Sequence, residues 1–553
     1  MRIKAFADAD DAFVVWRPSG PIGDCRGFAV YRKKPNSQAE IVPTFVGFEG
    51  SSVENGDPKF QPSTVWPVQK YSWIDFLAQP GDRVKYRVVP MVGTKDHLVE
   101  LTSQASGWSN EVHLAGGQGA IQAHFNRGIV ASQWLSRRLD SVPATQIRKK
   151  LETIIGTKGN KIRNLLAGDG REALLAIVAE ADGLANGSLH AALFELNDPE
   201  LVNALCDLGP KAHVVLANGA AKKKDEDENA DARDKLLAAH VDLTDRMTAP
   251  SHLAHNKFAV VSNGNQRVAV LTGSTNWTKT GLCTQANNAL VIRDETVAGW
   301  YFAYWQRLHD LKSAFPKAPR TENDKIRSTT VGSATVSAWF TAVDKEVDLD
   351  AARACIGAAK DGILFLMFNP GPMNTLLTAI LDRGAPGSPT YDADLFVHGV
   401  VNQEPGTTNH PVTLYHRGEA QHLGADVILP AGIEKKFSFW EAELKNYRIA
   451  MVHSKVVVVD PFGAHPVVLT GSHNMGPKAS GKNDDNLIII ENDRALAEAY
   501  AVNIIGVYNQ YRWRQRVLQG TKWKGLWDND HWQYDYFEKA EFIIEAGFWL
   551  KGA

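Results

Sequence analysis

In the first 117 residues, apolar positions fall in short runs separated by Gly and Pro: 12–16, 27–31, 71–75 and 81–89. Short alternating runs bounded by turn residues predict an antiparallel β-sandwich, and the glycines at 116, 117 and 119 predict a linker after it. From about residue 120 the pattern changes to amphipathic helical stretches alternating with continuous apolar runs, which predicts α/β layers. Helices are expected at 171–182 and 199–208, with strands at 189–194 and 213–216. The same plan returns with helices at 349–360 and 373–383 and strands at 363–368 and 394–400. The predicted fold class is therefore α/β, with two pseudo-symmetric α/β/α lobes preceded by a small all-β sandwich. The divisions are placed at 1–117, 118–325 and 326–553. The second lies around Pro316, Pro319 and the charged stretch 320–327. The charge run 222–228 reads as a solvated loop, and the tryptophan-bearing tail 523–550 is expected to pack on the second lobe.

Each lobe also carries the same polar constellation, 198 positions apart. The first copy is His255-Asn-Lys257, then Gly273-Ser274-Thr-Asn276, then Asn288; the second is His453-Ser-Lys455, then Gly471-Ser472-His-Asn474, then Asn486. In both, Gly follows His by 18 residues and the last Asn follows Gly by 15. Residues two apart on a strand share a face, so each His and Lys is expected to point the same way. The Lys charge, the hydroxyls of Ser274 and Ser472 and the amides of Asn276 and Asn474 suit phosphate oxygens. Thirteen residues after each motif serine stand Asn287 and Asp485. Asp485 is read as the carboxylate orienting the histidine of its own copy, His453, and raising its pKa.

The run HxKxxxxD followed by GSxN resembles the phospholipase D superfamily. Residues 453–460 carry it in full, ending on Asp460, whereas the first copy has Ser262 in place of that acid. The resemblance covers roughly 120–553. It implies that both motifs meet at one site, that one histidine forms a covalent phosphohistidine, and that the other protonates the leaving oxygen and then activates the acceptor. It assigns the nucleophile to His255 and the acid/base role to His453. The lysines, serines and Asn276 and Asn474 would clamp the phosphate, with Asp460, Asn287, Asn288 and Asn486 in support. It implies no metal and no cofactor, and a catalytic unit complete in one chain. The segments "GDRVKYRVVPMVG" and "SGWSNEVHL" resemble the last strands of a fibronectin type III domain.

Which phosphodiester is handled stays open at this point. A phospholipid enzyme acting by hydrolysis or transfer, with peripheral membrane contact, is the first reading. A nuclease is the second, because Gly273-Ser-Thr-Asn-Trp-Thr278 resembles the "GSxNWT" of small nucleases in the superfamily. A phosphate-binding protein with a degenerate site is the third. A formal net charge of −2 gives no global basic field for nucleic acid. Four scattered cysteines make neither a zinc motif nor a disulfide framework. No stretch of 18 apolar residues and no apolar signal core occur, so the cytoplasm is the default location, with signal-independent export as an alternative. Glu195 and Asn369, after corresponding strands, read mainly as loop polar groups. Trp277 and Met475 fit pocket or core equally, and His252, His465 and His473 read as structural or surface residues.

Overall fold

The computed structural model describes residues 1–49, 60–117, 119–130, 144–223, 226–417, 422–430, 451–518 and 525–551, with Leu135 and Glu419. At the N-terminus, strands Arg2–Ala7, Ala12–Arg17 and Ser72–Asp75 form one antiparallel sheet. Strands Val112–His113, Arg83–Thr94, Cys25–Lys33 and Glu40–Ile41 form the path of a second, with His97–Glu100 paired to Arg83–Thr94. Alternate residues of both sheets, among them Val14, Trp16, Phe28, Val30, Tyr86 and Val88, meet in a shared apolar core. The period-two pattern of these strands is what buries one face of each sheet against the other.

Two larger sheets follow. The first runs in the order Ile121–Phe125, Asn288–Ile292, Gln266–Gly273, Lys257–Asn263, Gly187–Leu193, Ala212–Ala217 and Asp242–Arg246. The second runs Arg327–Val331, Ala334–Phe340, Asn486–Glu491, Val467–Gly471, Lys455–Val459, Gly362–Met367, Phe396–Val401 and Ala425–Ile428. Apart from the extra hairpin strand at 327–331, the orders correspond strand for strand, so the repeat seen in the sequence is a repeat of topology. Both sheets mix parallel pairs (187–193 with 212–217; 362–367 with 396–401) and antiparallel pairs around the motif strands.

The central strands are continuous apolar runs because both their faces are covered. One face of each packs on its own outer helices, such as Lys161–Gly183 and Pro199–Leu208 in the first lobe and Val347–Gly357 and Thr375–Gly384 in the second. The other faces share one core, in which Val260, Val270 and Leu290 join Val456, Val468 and Ile488 around helices Glu295–Leu311 and Arg494–Leu518. This joint core fixes the two lobes against each other and brings the motif ends of their sheets together.

The tail packs as expected and reaches further. It packs on the second lobe and also on the N-terminal sheets. Trp549 lies edge-on to Phe13 at 4.7 Å, Trp532 contacts Phe28 and Tyr71, and Gln533 hydrogen-bonds both ways with Ile22. Among the described residues no helix is long and apolar enough to cross a membrane.

Candidate active site

The two histidines stand just before their strands, which begin at Lys257 and Lys455. Each is held by the opposite lobe. His255 N donates to Asp484 O and His453 N donates to Ala286 O, both at 2.9 Å. The chain bridges 254 to 484 and 286 to 452 repeat this cross-lobe pairing. The turn behind each motif serine requires glycine. Gly273 and Gly471 have φ of 142° and 135°, and a Cβ would stand 2.4 Å from Asn288 O and 2.2 Å from Asn486 O.

The side-chain pairing also crosses between lobes, which overturns the expected pairing of Asp485 with His453. Asp485 Oδ1 lies 2.8 Å from His255 Nδ1, and Asn287 Oδ1 lies 2.8 Å from His453 Nδ1. Asn287 Nδ2 donates to Gly281 O, which turns the amide oxygen toward His453. With an acceptor at each Nδ1, both rings carry their proton there when neutral and keep a lone pair on Nε2. Asp485 further accepts from Ser472 Oγ at 2.7 Å and from the Asn483 amide. Burial opposes its charge, but His255 and Lys257 prevail and hold its carboxyl below the usual range. Burial and Lys257 lower His255 to about 4 against the pull of Asp485. Burial, Lys455 and Lys257 hold His453 well below its usual value.

The two lysines are fully enclosed. Each Nζ donates to the carbonyl of the histidine two residues earlier. Each also lies over a phenylalanine ring, Lys257 4.8 Å from the Phe194 centroid and Lys455 4.5 Å from Phe368. The same two rings contact His255 and His453. Burial lowers Lys257 to about 7 and Lys455 well below its ordinary value; Asp485 and Glu195 oppose both shifts.

His255, His453, Asn276 and Asn474 line one cavity of about 1030 Å³, together with Phe194, Glu195, Phe368 and Asn369. Ser274 and Ser472 do not reach it, contrary to their expected role on phosphate. Ser274 Oγ donates to Asn287 Oδ1 and accepts from Asn288 N; Ser472 Oγ donates to Asp485 Oδ1 and accepts from Asn486 N. Each serine spends its single proton fixing the acceptor behind the other lobe's histidine. Asn288 and Asn486 lie in the joint core. The Asn288 amide donates to Thr470 Oγ1 and the Tyr500 hydroxyl; the Asn486 amide donates to Asn256, and its oxygen accepts from Thr272 and Tyr301.

Asp460 is a support of another kind. It sits past the far end of strand Lys455–Val459 and accepts from the backbone N–H groups of Lys360, Asp361 and Gly362. Five strand residues separate it from the motif end, roughly 17 Å at the usual rise. Its absence from the first copy therefore removes a loop anchor and leaves the histidine pair untouched. Trp277 and Met475 are core residues, fully buried in their lobes. His473 faces Asp348 at 2.9 Å, His252 faces Lys482 O, and His465 is a surface residue beside Asn492.

Several contributors went unnoticed in the sequence. Asn126 Oδ1 accepts from Asn287 N and Thr341 Oγ1 accepts from Asp485 N, so each lobe steadies the residue behind a histidine. Phe194 and Phe368 looked like ordinary strand ends; their matching places after corresponding strands were the available signal. Arg246 is buried against Asp484 at 2.6 Å, a cross-lobe ion pair beside Asp485. Among the described residues no cluster of His, Cys, Asp and Glu is arranged to hold a metal ion.

Fold and site define a two-lobed α/β protein with one histidine pair built at the lobe junction. Residues 183–309 and 421–504 match the family model described as "Cardiolipin synthase, PLD-like domain", so the chain carries a phospholipase D-like domain in two segments. No curated protein sequence matches the chain. Among solved structures, similarity is found to phosphatidylserine synthase of Haemophilus influenzae Rd KW20, at 12% identity and TM-score 0.43 over 63% of this chain and 85% of that one. It is also found to the phospholipase D family member Nuc from Salmonella typhimurium, at 18% identity and TM-score 0.21 over 32% and 95%. A yeast tyrosyl-DNA phosphodiesterase gives 8% identity and TM-score 0.31 over 58% and 87%.

Proposed function

We propose that the protein is a phosphodiesterase that breaks one ester bond of a phosphodiester and transfers the phosphoryl group, still bearing the other ester, through a covalent phosphohistidine on His255, with phospholipid as the substrate class. The observation that carries this reading is the cross-lobe pair: two histidines on one cavity, each with Nδ1 fixed by an acceptor and Nε2 left for chemistry. His255 Nε2 attacks phosphorus, the bond to the leaving oxygen breaks, and that oxygen takes the proton from His453 Nε2. His453 then removes a proton from water or an alcohol, which attacks phosphorus as the P–N bond breaks.

The unequal acceptors divide these roles. The attacking ring gains positive charge when the P–N bond forms, and Asp485 offsets it. Asn287, being neutral, orients His453 without locking a proton on it, so the ring can give up and recover one in each cycle. Asn276 and Asn474 supply amides on the cavity wall, and the buried lysines supply positive charge behind it.

The phospholipid assignment draws support from the description of the matched family and from apolar cavity residues Ile129, Leu253, Met373 and Met451 beside Phe194 and Phe368. The test offers the protein, with chelator present, phosphatidylcholine, single-stranded DNA and bis(p-nitrophenyl) phosphate. Choline release supports the reading. DNA nicking without choline release assigns the site to nucleic acid, and no turnover of any substrate, with His255→Ala indistinguishable from the parent, contradicts an enzymatic role.

A further inference from the structure

The half-sites differ at a residue that touches the cavity. Glu195 and Asn369 each stand two residues past corresponding strands, Gly187–Leu193 and Gly362–Met367, and both line the cavity with the histidines. Glu195 Oε2 accepts from Asn276 Nδ2 at 2.6 Å, so the first lobe's amide donor is held by a carboxylate. The corresponding residue of the second lobe, Asn369, brings no charge. Glu195 lies within electrostatic reach of both lysine ammoniums. The other charged cavity residues are Glu228, whose carboxylate accepts from Ala220 N, Lys478, whose ammonium donates to Pro250 O, and Arg514, which lies over the Tyr511 ring.

We propose that Glu195 is a specificity-determining residue that selects singly charged phosphodiesters and rejects doubly charged phosphomonoesters. The inference rests on the phosphodiesterase reading and names the charge state its site accepts. Burial opposes positive charge on Lys257, Lys455 and His453, while Glu195 brings its carboxylate to the cavity wall itself. A diester monoanion places one negative charge near that carboxylate; a monoester dianion places a second in the same enclosed site, which is costlier. Removing the Glu195 charge relieves this repulsion, most of all for the dianion. The same selection would speed release of any monoester product, because the group that leaves carries the charge the site rejects.

The experiment measures binding directly, by calorimetry or phosphorus NMR titration at pH 8. Dimethyl phosphate serves as the monoanion and methyl phosphate as the dianion. The parent protein is expected to prefer dimethyl phosphate by about tenfold, the scale of one added charge at a partly desolvated site. Glu195→Gln keeps an acceptor for Asn276 and is expected to abolish or reverse that preference. Asn369→Asp, which adds a carboxylate at the matching position, is expected to enlarge it, and it provides the test should Glu195→Gln not fold. An unchanged ratio in both variants overturns the role of Glu195 while leaving the phosphate site standing. Failure of both ligands to bind the parent overturns the phosphodiesterase reading itself, and this inference with it.

Discussion

The two half-sites share a topology, a His-Lys pair, a Gly-Ser turn and a phenylalanine under the lysine, yet the acceptors behind their histidines differ. His255 leans on the carboxylate of Asp485 and His453 on the amide of Asn287, each from the other lobe. The difference teaches that the functional unit is not the sequence motif. Each histidine belongs with the serine, the acceptor and the turn of the opposite copy, so a change in one motif is felt at the other motif's histidine. The acid that seemed to make the second copy complete serves the first.

The largest effect should come from the histidines themselves. His255→Ala is expected to lower kcat by about 10³-fold or more with any ester, while His453→Ala should discriminate by leaving group. With bis(p-nitrophenyl) phosphate, whose leaving group needs no proton, His453→Ala should give a burst of nitrophenol followed by slow turnover, seen by stopped-flow absorbance. A burst in His255→Ala instead would reverse the assignment.

Exchanging the acceptors comes next. Asp485→Asn should slow phosphoenzyme formation by about 10²-fold, because the charge formed on His255 loses its counter-charge. Asn287→Asp should act at His453. Burial and the two lysines hold that ring well below its usual pKa, so in the free protein its acid form dwindles as pH rises. The pH profile of kcat/KM should therefore fall toward alkaline pH. A carboxylate at 287 raises the His453 pKa and should move that limb upward, whereas movement of the acidic limb, set by His255 near 4, would contradict the crossed pairing.

Smaller effects separate stability from chemistry. Asp484→Ala leaves the Arg246 guanidinium buried without its partner and should cost about 3 kcal/mol in denaturant unfolding. Asp460→Ser, which gives the second copy the residue of the first, strips acceptors from three backbone N–H groups and should cost about 1–3 kcal/mol. Its kcat should stay within about threefold of the parent; a larger loss would return Asp460 to the chemistry.

Much of this was legible along the chain because it is periodic or repeated. The continuous apolar runs marked the buried central strands, and helix 199–208 was read to its ends, where the structure caps it with Asp198 and opens it on Pro199. The two-fold relation of the motifs was visible in spacing alone. The crossed pairing was not, because Asp485 stands 32 residues from His453 and 230 from His255, and only the docking of the lobes through their joint core decides between them. The serines were misread for a related reason: a hydroxyl looks like a phosphate donor until its one proton is found on Asp485 or Asn287. The tail's contact with Phe13 and Phe28 was equally a tertiary fact, with no local pattern to announce it.

The central claim, that the carboxylate-backed histidine is the one that bonds phosphorus, is tested most directly by trapping the intermediate. The His453→Ala protein would be quenched in alkali during turnover of a ³²P-labelled aryl diester and the labelled peptide mapped. Label on His255, lost in the His255→Ala/His453→Ala double variant, is the predicted result. In the parent protein, label recovered on His453 in place of His255 would contradict it.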